Sequence, residues 1–345
     1  EGEADGLPLP GGYLLLADDE KTLSKRMEKD SYFVRVYAKN QMYTGKHIAT
    51  KLWVGDYTTG DTFEKFAQKA EGIKRIGVLR ADVDNLGQTF VAGFAGKYAT
   101  LSRTAALSRQ LSIFFKYYIR SILKNGEYHI DGEKKLTERN ATIVYSGGDD
   151  VFIVGAWNEV IELSIDLQEK FKKYTQGTLS ISSGIGIYEC TYPIGAIANE
   201  TGEMEAESKR MPEKDSVTLM DDGETHLINE LEICDGTYRW EELYKSVLGE
   251  KYDVIQDFLG ESDERGMSFL YRMLELIRNQ KEKINFARFV YLLSRLEPDK
   301  EGEKKEKYRK FSRKMYQWVQ SEKDCRELKT AINLYAYMHR EKGAH

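Results

Sequence analysis

The chain has 345 residues, of which 41% are hydrophobic and 31% are charged, and its formal net charge is −5. This length allows two or three domains, and the mild, mixed charge excludes a polybasic nucleic-acid arm. The three cysteines, Cys190, Cys234 and Cys325, lie far apart and form no CxxC pair. Their spacing argues against a zinc site or a disulfide framework and favours a reducing, cytoplasmic compartment. No apolar run reaches the length of a membrane span, so no membrane partner is expected.

The first sixty residues predict a small β-rich linker module, placed at residues 1–60. Strands are expected at Gly12–Ala17, Tyr32–Ala38 and His47–Val54, where apolar residues dominate. A polar connector separates the first two strands.

A central, covered strand is predicted at Ile73–Ala81, because its middle is apolar on both faces. The strand runs into Asp82, Val83 and Asp84. Side chains alternate along a strand, so the two aspartates would share a face if the strand continued. A long helix, Leu101–Leu123, follows with apolar residues at helical spacing.

The stretch 142–155, TIVYSGGDDVFIVG, predicts a β-hairpin with an acidic tip. Gly147 and Gly148 favour a tight turn, because glycine takes φ > 0 at little steric cost. Asp149 and Asp150 follow, and two carboxylates about 4 Å apart repel by roughly 4 kcal/mol at an effective dielectric near 20. A cation between them would relieve this repulsion. The alternative is a solvated turn that happens to carry two acids.

The elements after the hairpin complete a βαββαβ order. They are expected at Asn158–Tyr174 (helix, with Asn158 as N-cap), Ser180–Tyr188 (strand), Ile194–Lys209 (helix) and Ser216–Met220 (strand). This order predicts a ferredoxin-like sandwich, so residues 61–235 form an α+β domain. In that fold the first strand and the hairpin are neighbours, which would bring Asp82 to Asp149.

The pattern becomes helical from residue 236 and predicts an all-α bundle over residues 236–345. Helices are expected at Tyr238–Leu259, Gly266–Gln280, Ile284–Leu296, Tyr308–Gln320 and Asp324–Arg340. Basic residues between Lys304 and Lys314 alternate with acids and aromatics, which favours a solvated face over a nucleic-acid contact.

Converging carboxylates are typical of a divalent metal site. Asp82, Asp84, Asp149 and Asp150 would offer the oxygen ligands that Mg²⁺ or Mn²⁺ prefers, and Mg²⁺ usually takes one or two carboxylates plus substrate phosphates. Two such ions roughly 4 Å apart serve an in-line displacement at phosphorus. For Asp82 alone, a strand-end cap is the alternative role.

The stretches LRADVDNLG, LSRTAALSRQLSIFFKYYI and YSGGDDVFIVG together resemble the second palm domain of the large polymerase/cyclase subunit of type III CRISPR effector complexes. The Csm (III-A) branch is the more similar. LPLPGGYLLL, KLWVGDY and INFARFVYLLSRLEP resemble stretches before and after that palm, so the resemblance covers nearly the whole chain, as the carboxy-terminal part of that subunit. The family's HD nuclease domain, first palm and zinc-binding cysteines have no counterpart in the sequence.

The resemblance implies a nucleotidyltransferase of antiviral defence. Its GGDD palm would convert ATP to cyclic oligoadenylate second messengers when the complex binds target RNA. The implied partners are the other subunits of a type III complex, crRNA, target RNA and ATP, and the implied cofactor is Mg²⁺ or Mn²⁺.

Residue by residue, the resemblance assigns roles to the acidic positions. Asp149 and Asp150 match the family's catalytic acidic pair, which also binds metal. Asp82 matches the first-strand metal ligand, with the Val83 carbonyl as a helper, and Asp84 is a further candidate ligand.

Nucleotide binding is expected from the turn and from three residues outside it. Lys209 and Lys214 would hold triphosphate oxygens, although exposed solubilising lysines are the alternative. Ser108 would touch adenine, although an ordinary helix-face serine is the alternative. The candidates are Ser146, Gly147, Gly148, Lys209, Lys214 and Ser108.

Two other functions stay open. A diguanylate-type cyclase shares the palm, but its hairpin normally carries an acid followed by Glu-Phe, whereas this one reads Asp149-Asp150-Val151-Phe152. A non-catalytic scaffold subunit would use the helical bundle to dock its partners.

Overall fold

The computed structural model describes residues 6–29, 32–41, 43, 48–60, 62–94, 96–132, 135–221, 223–260, 265–278 and 283–340. The chain divides into two compact units, residues 1–54 and 55–345. The predicted domain limits near residues 60 and 235 remain predictions.

The first unit contains two small sheets and one helix. Its elements are β1 (Leu7–Leu9), β2 (Tyr13–Leu15), α1 (Glu20–Lys29), β3 (Arg35–Lys39) and β4 (Ile48–Leu52). Strands β1 and β2 are antiparallel, and β3 and β4 are parallel. The predicted polar connector between the first two strands contains helix α1, which the sequence analysis did not predict. His47 lies outside the described residues.

The second unit begins with the predicted α+β domain. Its elements are α2 (Phe63–Lys69), β5 (Ile76–Val83), α3 (Leu86–Ala92), α4 (Leu101–Ile113), α5 (Ile119–Lys124), β6 (Ala141–Ser146), β7 (Asp150–Ala156), α6 (Trp157–Tyr174), β8 (Ile181–Tyr188), α7 (Ile194–Ser208), β9 (Ser216–Leu219), β10 (Thr225–Ile228), β11 (Leu231–Cys234) and β12 (Thr237–Arg239).

A six-stranded sheet of order β12-β9-β8-β5-β7-β6 organises this domain. Strand β5 pairs antiparallel with both β7 and β8, which confirms the predicted ferredoxin-like arrangement. Strand β9 runs parallel to β8, and β12 then adds antiparallel to β9. The sheet therefore extends beyond the four strands of the simple sandwich.

Strand β5 is covered on both faces, as its apolar sequence predicted. Val78 and Leu79 point to opposite faces, and both are fully buried. Val78 belongs to a cluster with Phe66, whereas Leu79 belongs to the main core with helix α6. Gly77 allows this helix to pack closely, because a Cβ there would lie 2.7 Å from the Cα of Trp157.

The predicted helix Leu101–Leu123 is interrupted by a π-helical segment at Phe114–Tyr118. Phe114 and Phe115 are both buried, and both rings contact Phe171 of α6. A π-helical turn widens the helix and allows two adjacent aromatic rings to face the same core.

Two other details of the sequence prediction are wrong. Helix α6 begins at Trp157 without a side-chain cap, and Asn158 instead accepts a hydrogen bond from the Glu71 amide at 3.2 Å. Tyr238 lies in strand β12 rather than in a helix, since it is buried against the last helix of the bundle.

The helical region follows a second π-helical segment, Glu242–Tyr252. Its helices are α8 (Asp253–Leu259), α9 (Arg265–Arg278), α10 (Lys283–Ser294), α11 (Glu303–Trp318) and α12 (Glu322–His339). Cations of α11 form ion pairs: Lys310 lies 3.1 Å from Asp257, and Lys314 lies 2.7 Å from Glu250. Such pairing is expected of a solvated face.

Helix α12 packs back onto the start of the α+β domain. The Ile73 amide donates to the Tyr337 carbonyl at 2.9 Å. Gly72 has φ +56°, and a Cβ there would run into the carbonyl oxygens of Tyr337 and Met338. The Trp157 indole donates to the Glu71 carbonyl at 2.9 Å in the same place. The beginning of the α+β domain is thus joined to the end of the helical region.

Candidate active site

The structure brings three aspartates to one edge of the sheet. Asp82 is paired in register with Asp150 on one side and with Ser182 on the other. Directly opposite residues point to the same face with Cβ atoms about 5 Å apart, so the Asp82 and Asp150 carboxylates are neighbours. The Val83 amide donates to the Asp149 carbonyl at 3.2 Å, which fixes the hairpin tip against the end of β5.

The hairpin turn is closed by a hydrogen bond from the Gly147 amide to the Asp150 carbonyl at 2.8 Å. Neither Gly147 nor Gly148 has a positive φ, so the conformational reason given for the pair is wrong. Space is the reason at Gly147, where a Cβ would meet the Asp150 carboxylate and lie 2.5 Å from the Tyr145 hydroxyl. Gly148 has an open side, since a Cβ there would meet only the Ser112 hydroxyl, at 3.6 Å.

Repulsion among the carboxylates is visible at Asp149. Burial, followed by the neighbouring charges of Asp82 and Asp150, raises the pKa of Asp149 above its ordinary value. Asp150 and, secondarily, burial raise the pKa of the Tyr145 phenol in the same way. The tip is therefore a place of excess negative charge that a bound cation would stabilise.

Lys209, which follows α7, is the cation that the structure places at this edge. Its ammonium group contacts the Asp82 carboxylate and lies 2.8 Å from Glu205. Burial disfavours the charged form, but the hydrogen bonds to Asp82 and Glu205 outweigh it and raise the pKa of Lys209. Sequence reasoning placed Lys209 at the triphosphate but missed Glu205; the Glu-x-x-x-Lys spacing on a helix was the available signal.

The Asp84 carboxylate is hydrogen-bonded to the chain around the neighbouring strands β8 and β9. Strand β5 ends at Val83, and the Asp84 carboxylate accepts hydrogen bonds through Oδ2 from Ser180 at 2.7 Å, Ser182 at 3.0 Å and the Asp215 amide at 3.1 Å. These bonds tie the end of β5 to β8 and to the start of β9. Asp84 Oδ1 is buried without a hydrogen-bond partner in the part of the chain that is described.

Lys214 belongs to a strained turn beside Asp84. Asn85, Lys214 and Asp215 have φ values of 53°, 53° and 47°, which non-glycine residues rarely adopt. The Lys214 ammonium donates to the Asn85 side-chain oxygen at 2.6 Å. Backbone strain of this kind clusters at functional sites, and here it holds the predicted triphosphate ligand next to β5.

The predicted serines take different places. The Ser146 hydroxyl donates to the Phe115 carbonyl at 2.5 Å, so it ties the hairpin to the π-helical segment. Ser108 is exposed on α4. Ser112, one helical turn further, is the residue beside the open side of Gly148, and sequence reasoning missed it.

The donor set fits a hard divalent cation. Asp82, Asp149 and Asp150 offer carboxylate oxygens, and burial followed by their mutual repulsion raises the pKa of Asp149. Within the described residues, no group of three or more His, Cys, Asp or Glu side chains is arranged to hold a metal ion unaided.

Two family descriptions match the chain. Residues 75–218 match Cas10/Cmr2, second palm domain, and residues 256–341 match the CRISPR RNA silencing complex Cmr2 subunit, second helical domain. Among the described residues, no helix combines the length and the apolar character needed to cross a bilayer.

Curated relatives extend the similarity over nearly the whole chain. The CRISPR system single-strand-specific deoxyribonuclease Cas10/Csm1 (subtype III-A) of Mycobacterium tuberculosis is 42% identical over 351 residues, which cover 99% of this chain and 41% of that protein. The protein of the same description from Enterococcus italicus is 36% identical over 343 residues, which cover 97% of this chain and 40% of that protein. The chain spans about two fifths of the length of these relatives.

A solved structure supports the same fold. The Csm1–Csm4 cassette in complex with pppApApA superposes with a TM-score of 0.66 at 26% identity, covering 88% of this chain and 44% of that one.

Proposed function

The chain belongs to the Cas10/Csm1 family of subtype III-A CRISPR systems, and from this we propose that its palm joins ATP molecules into cyclic oligoadenylates. One observation carries the proposal, namely the convergence of Asp82, Asp149 and Asp150 at the end of the β5–β7 ladder. Three carboxylates at one sheet edge suit a metal-dependent displacement at phosphorus.

The proposed reaction is a nucleotidyl transfer. The 3′-hydroxyl oxygen of one ATP, or of a growing chain, attacks the α-phosphorus of another ATP. A phosphodiester bond forms, the bond between the α-phosphorus and its bridging oxygen breaks, and pyrophosphate and the hydroxyl proton leave. Ring closure is the same displacement within one chain. The solved relative with pppApApA supports this substrate class, because that molecule is what three ATP give after two such steps.

Asp82, Asp149, Asp150 and the Val83 carbonyl would hold Mg²⁺ or Mn²⁺. Bound there, such ions activate the attacking hydroxyl and stabilise the leaving oxygen. The protein's own contribution is positioning and electrostatics. The β5–β7 register fixes Asp82 against Asp150, and the Val83–Asp149 hydrogen bond fixes the tip.

The nucleotide is proposed to approach the open side of Gly148. A side chain at that position would meet only Ser112, so the backbone there is accessible from the side of α4. Lys209 and Lys214 flank the other side of the acidic edge, at Asp82 and Asn85, where their charges would hold triphosphate oxygens.

The proposed setting is an assembled type III-A complex with crRNA, target RNA and other subunits. Cyclisation is proposed to take place in a pocket between this palm and a second palm, as the family resemblance implies. The activity is therefore assigned to the complex that contains this chain, with target RNA as its activator.

Replacing the acidic pair tests this function. Asp149→Ala with Asp150→Ala, in the assembled complex with target RNA, is expected to abolish oligoadenylate formation from ATP. Asp257→Ala on the bundle surface is the control and should retain it. Persistent synthesis in the double variant would show that the site is assigned wrongly. A product formed from GTP instead of ATP would favour a diguanylate-type cyclase.

A further inference from the structure

Glu205 is a buried carboxylate that lies behind the acidic edge. It is 8% exposed and lies in α7, four residues before Lys209. Its two oxygens face different cations: Oε1 accepts from the Lys209 ammonium at 2.8 Å, and Oε2 lies 3.0 Å from Arg80 Nε. A buried carboxylate with both oxygens paired has a fixed orientation.

Arg80 holds Glu205 in that orientation. Arg80 lies two residues before Asp82 on the same face of β5. Its guanidinium lies across the α7 backbone, because a Cβ at Gly202 would come within 2.8 Å of Nη1. Nη1 also donates to the Ala198 carbonyl at 3.5 Å. Glu205 is thereby connected to the strand that carries Asp82.

Lys209 is shared between two carboxylates. Its ammonium contacts Asp82 and Glu205 together, and its side chain is 24% exposed. The ammonium therefore lies where a metal ion bound by Asp82 would need access. A lysine paired with Asp82 alone would compete more strongly for that carboxylate, because its charge would have no second partner.

We propose that Glu205 is a positioning residue that keeps Lys209 near the acidic edge while weakening its hold on Asp82. A divalent ion can then bind the Asp82 carboxylate. Lys209 stays paired with Glu205 and remains within reach of the substrate's triphosphate. This inference rests on the proposed metal-dependent transfer and adds to it the residue that sets how easily metal enters.

Mn²⁺ binding tests the proposal without relying on activity. The free ion is followed by electron paramagnetic resonance during titration of the assembled complex, and the Asp149→Ala/Asp150→Ala protein supplies the background of other sites. Glu205→Gln is expected to weaken binding about three- to fivefold, on the scale of one partly exposed charge pair. Lys209→Gln is expected to strengthen binding, because it removes the competitor. The double variant should bind at least as tightly as the unchanged protein.

Glu203→Gln is the matched control, because Glu203 is an exposed acid on the same helix. It should leave Mn²⁺ binding unchanged. Mn²⁺ binding that is unchanged or stronger in Glu205→Gln would overturn the proposal, even if that substitution lowered stability. If Glu205→Gln did not fold, Glu205→Asp, whose shorter side chain cannot keep both contacts, would take its place with the same expected weakening. Failure of the proposed function is separate, since it would appear as oligoadenylate synthesis by the Asp149→Ala/Asp150→Ala complex.

Discussion

Asp82 and Asp150 form the last register pair between β5 and β7, so their carboxylates project from the same face at the same end of the sheet. Residues 82 and 150 are far apart in the chain, and only the antiparallel ladder between the two strands makes them neighbours. The ladder also explains why the pair is rigid, because β5 is held on its other side by β8. The acidic edge is built on a strand that is buried over most of its length.

Asp149→Asn is expected to stabilise the metal-free protein while it disables the site. The pKa of Asp149 is raised in the folded state by burial and by Asp82 and Asp150. An acid with a raised pKa costs folding free energy once the pH exceeds its unfolded value, so removing the charge at neutral pH is favourable. The melting temperature without metal should rise by about 1–3 °C. Asp299→Asn, at an exposed position, should not change it.

Metal binding should weaken as the pH falls, and this weakening should begin at a higher pH than for a site of ordinary aspartates. Protonated Asp149 cannot ligate a metal, and its pKa is raised, so the proton competes at a higher pH than usual. Mn²⁺ titrations over a series from neutral to mildly acidic pH would measure this. A midpoint at or below the usual aspartate range would contradict the expectation, and Asp149→Asn should remove this part of the pH dependence.

Gly147→Ala is expected to reduce oligoadenylate synthesis about a hundredfold, the cost of a misplacement near 1 Å. The new methyl group would collide with the Asp150 carboxylate and the Tyr145 hydroxyl. Gly195→Ala is the control, because nothing lies within 4 Å of a Cβ at that position in α7. Turnover assays of both variants would decide, and equal activity would refute the spatial role of Gly147.

Ser112 and Ser108 should respond differently to enlargement. Ser112→Leu would fill the open side of Gly148 and is expected to raise the KM for ATP about tenfold or more, with little effect on melting temperature. Ser108→Leu is the matched change one helical turn away at an exposed position, and it should have a smaller effect. Steady-state kinetics in the assembled complex measure the difference. A larger rise in the KM for ATP with Ser108→Leu than with Ser112→Leu would instead support the adenine contact at Ser108 that the sequence analysis predicted.

Arg139→Met should destabilise the folded protein by about 3–5 kcal/mol, because it leaves two buried carboxylates without their cation. Arg139 is 1% exposed, contacts Glu162 and lies 2.9 Å from Asp166. Chemical denaturation of the purified protein gives the free energy of unfolding. Arg120→Met, at a half-exposed arginine, should cost less than about 1 kcal/mol. A similar loss of unfolding free energy in the two variants would contradict the role of Arg139 as the cation of two buried carboxylates.

Local patterns were sufficient to predict the palm. Buried strand β5 was visible as an apolar run, the hairpin as Gly-Gly between β-forming residues, and the βαββαβ order then predicted the neighbours of Asp82. Helix α1 was missed because Leu23 and Met27 are its only apolar residues, and no residue in it is buried.

Tertiary packing decided what the sequence could not show. The π-helical segment at Phe114–Tyr118 coincides with two adjacent buried rings, and helical periodicity gives no sign of it. Ser112 and Glu205 became site residues only when α4 and α7 were placed against the sheet. The sequence predicted glycine at position 147 for its backbone conformation, whereas the structure shows that a larger residue would collide with the Asp150 carboxylate.

The junction between Gly72 and Tyr337 has a consequence for how the protein can be divided. A palm cut at its family limits, residues 75 and 218, would lose the helix that accepts the Ile73 amide and the segment that accepts the Trp157 indole. Because these hydrogen bonds join the first and last parts of the second unit, we expect the two parts to fold cooperatively. Swapping palms between relatives should succeed only when the last helix is exchanged together with the palm, so the two regions are expected to be inherited as one piece.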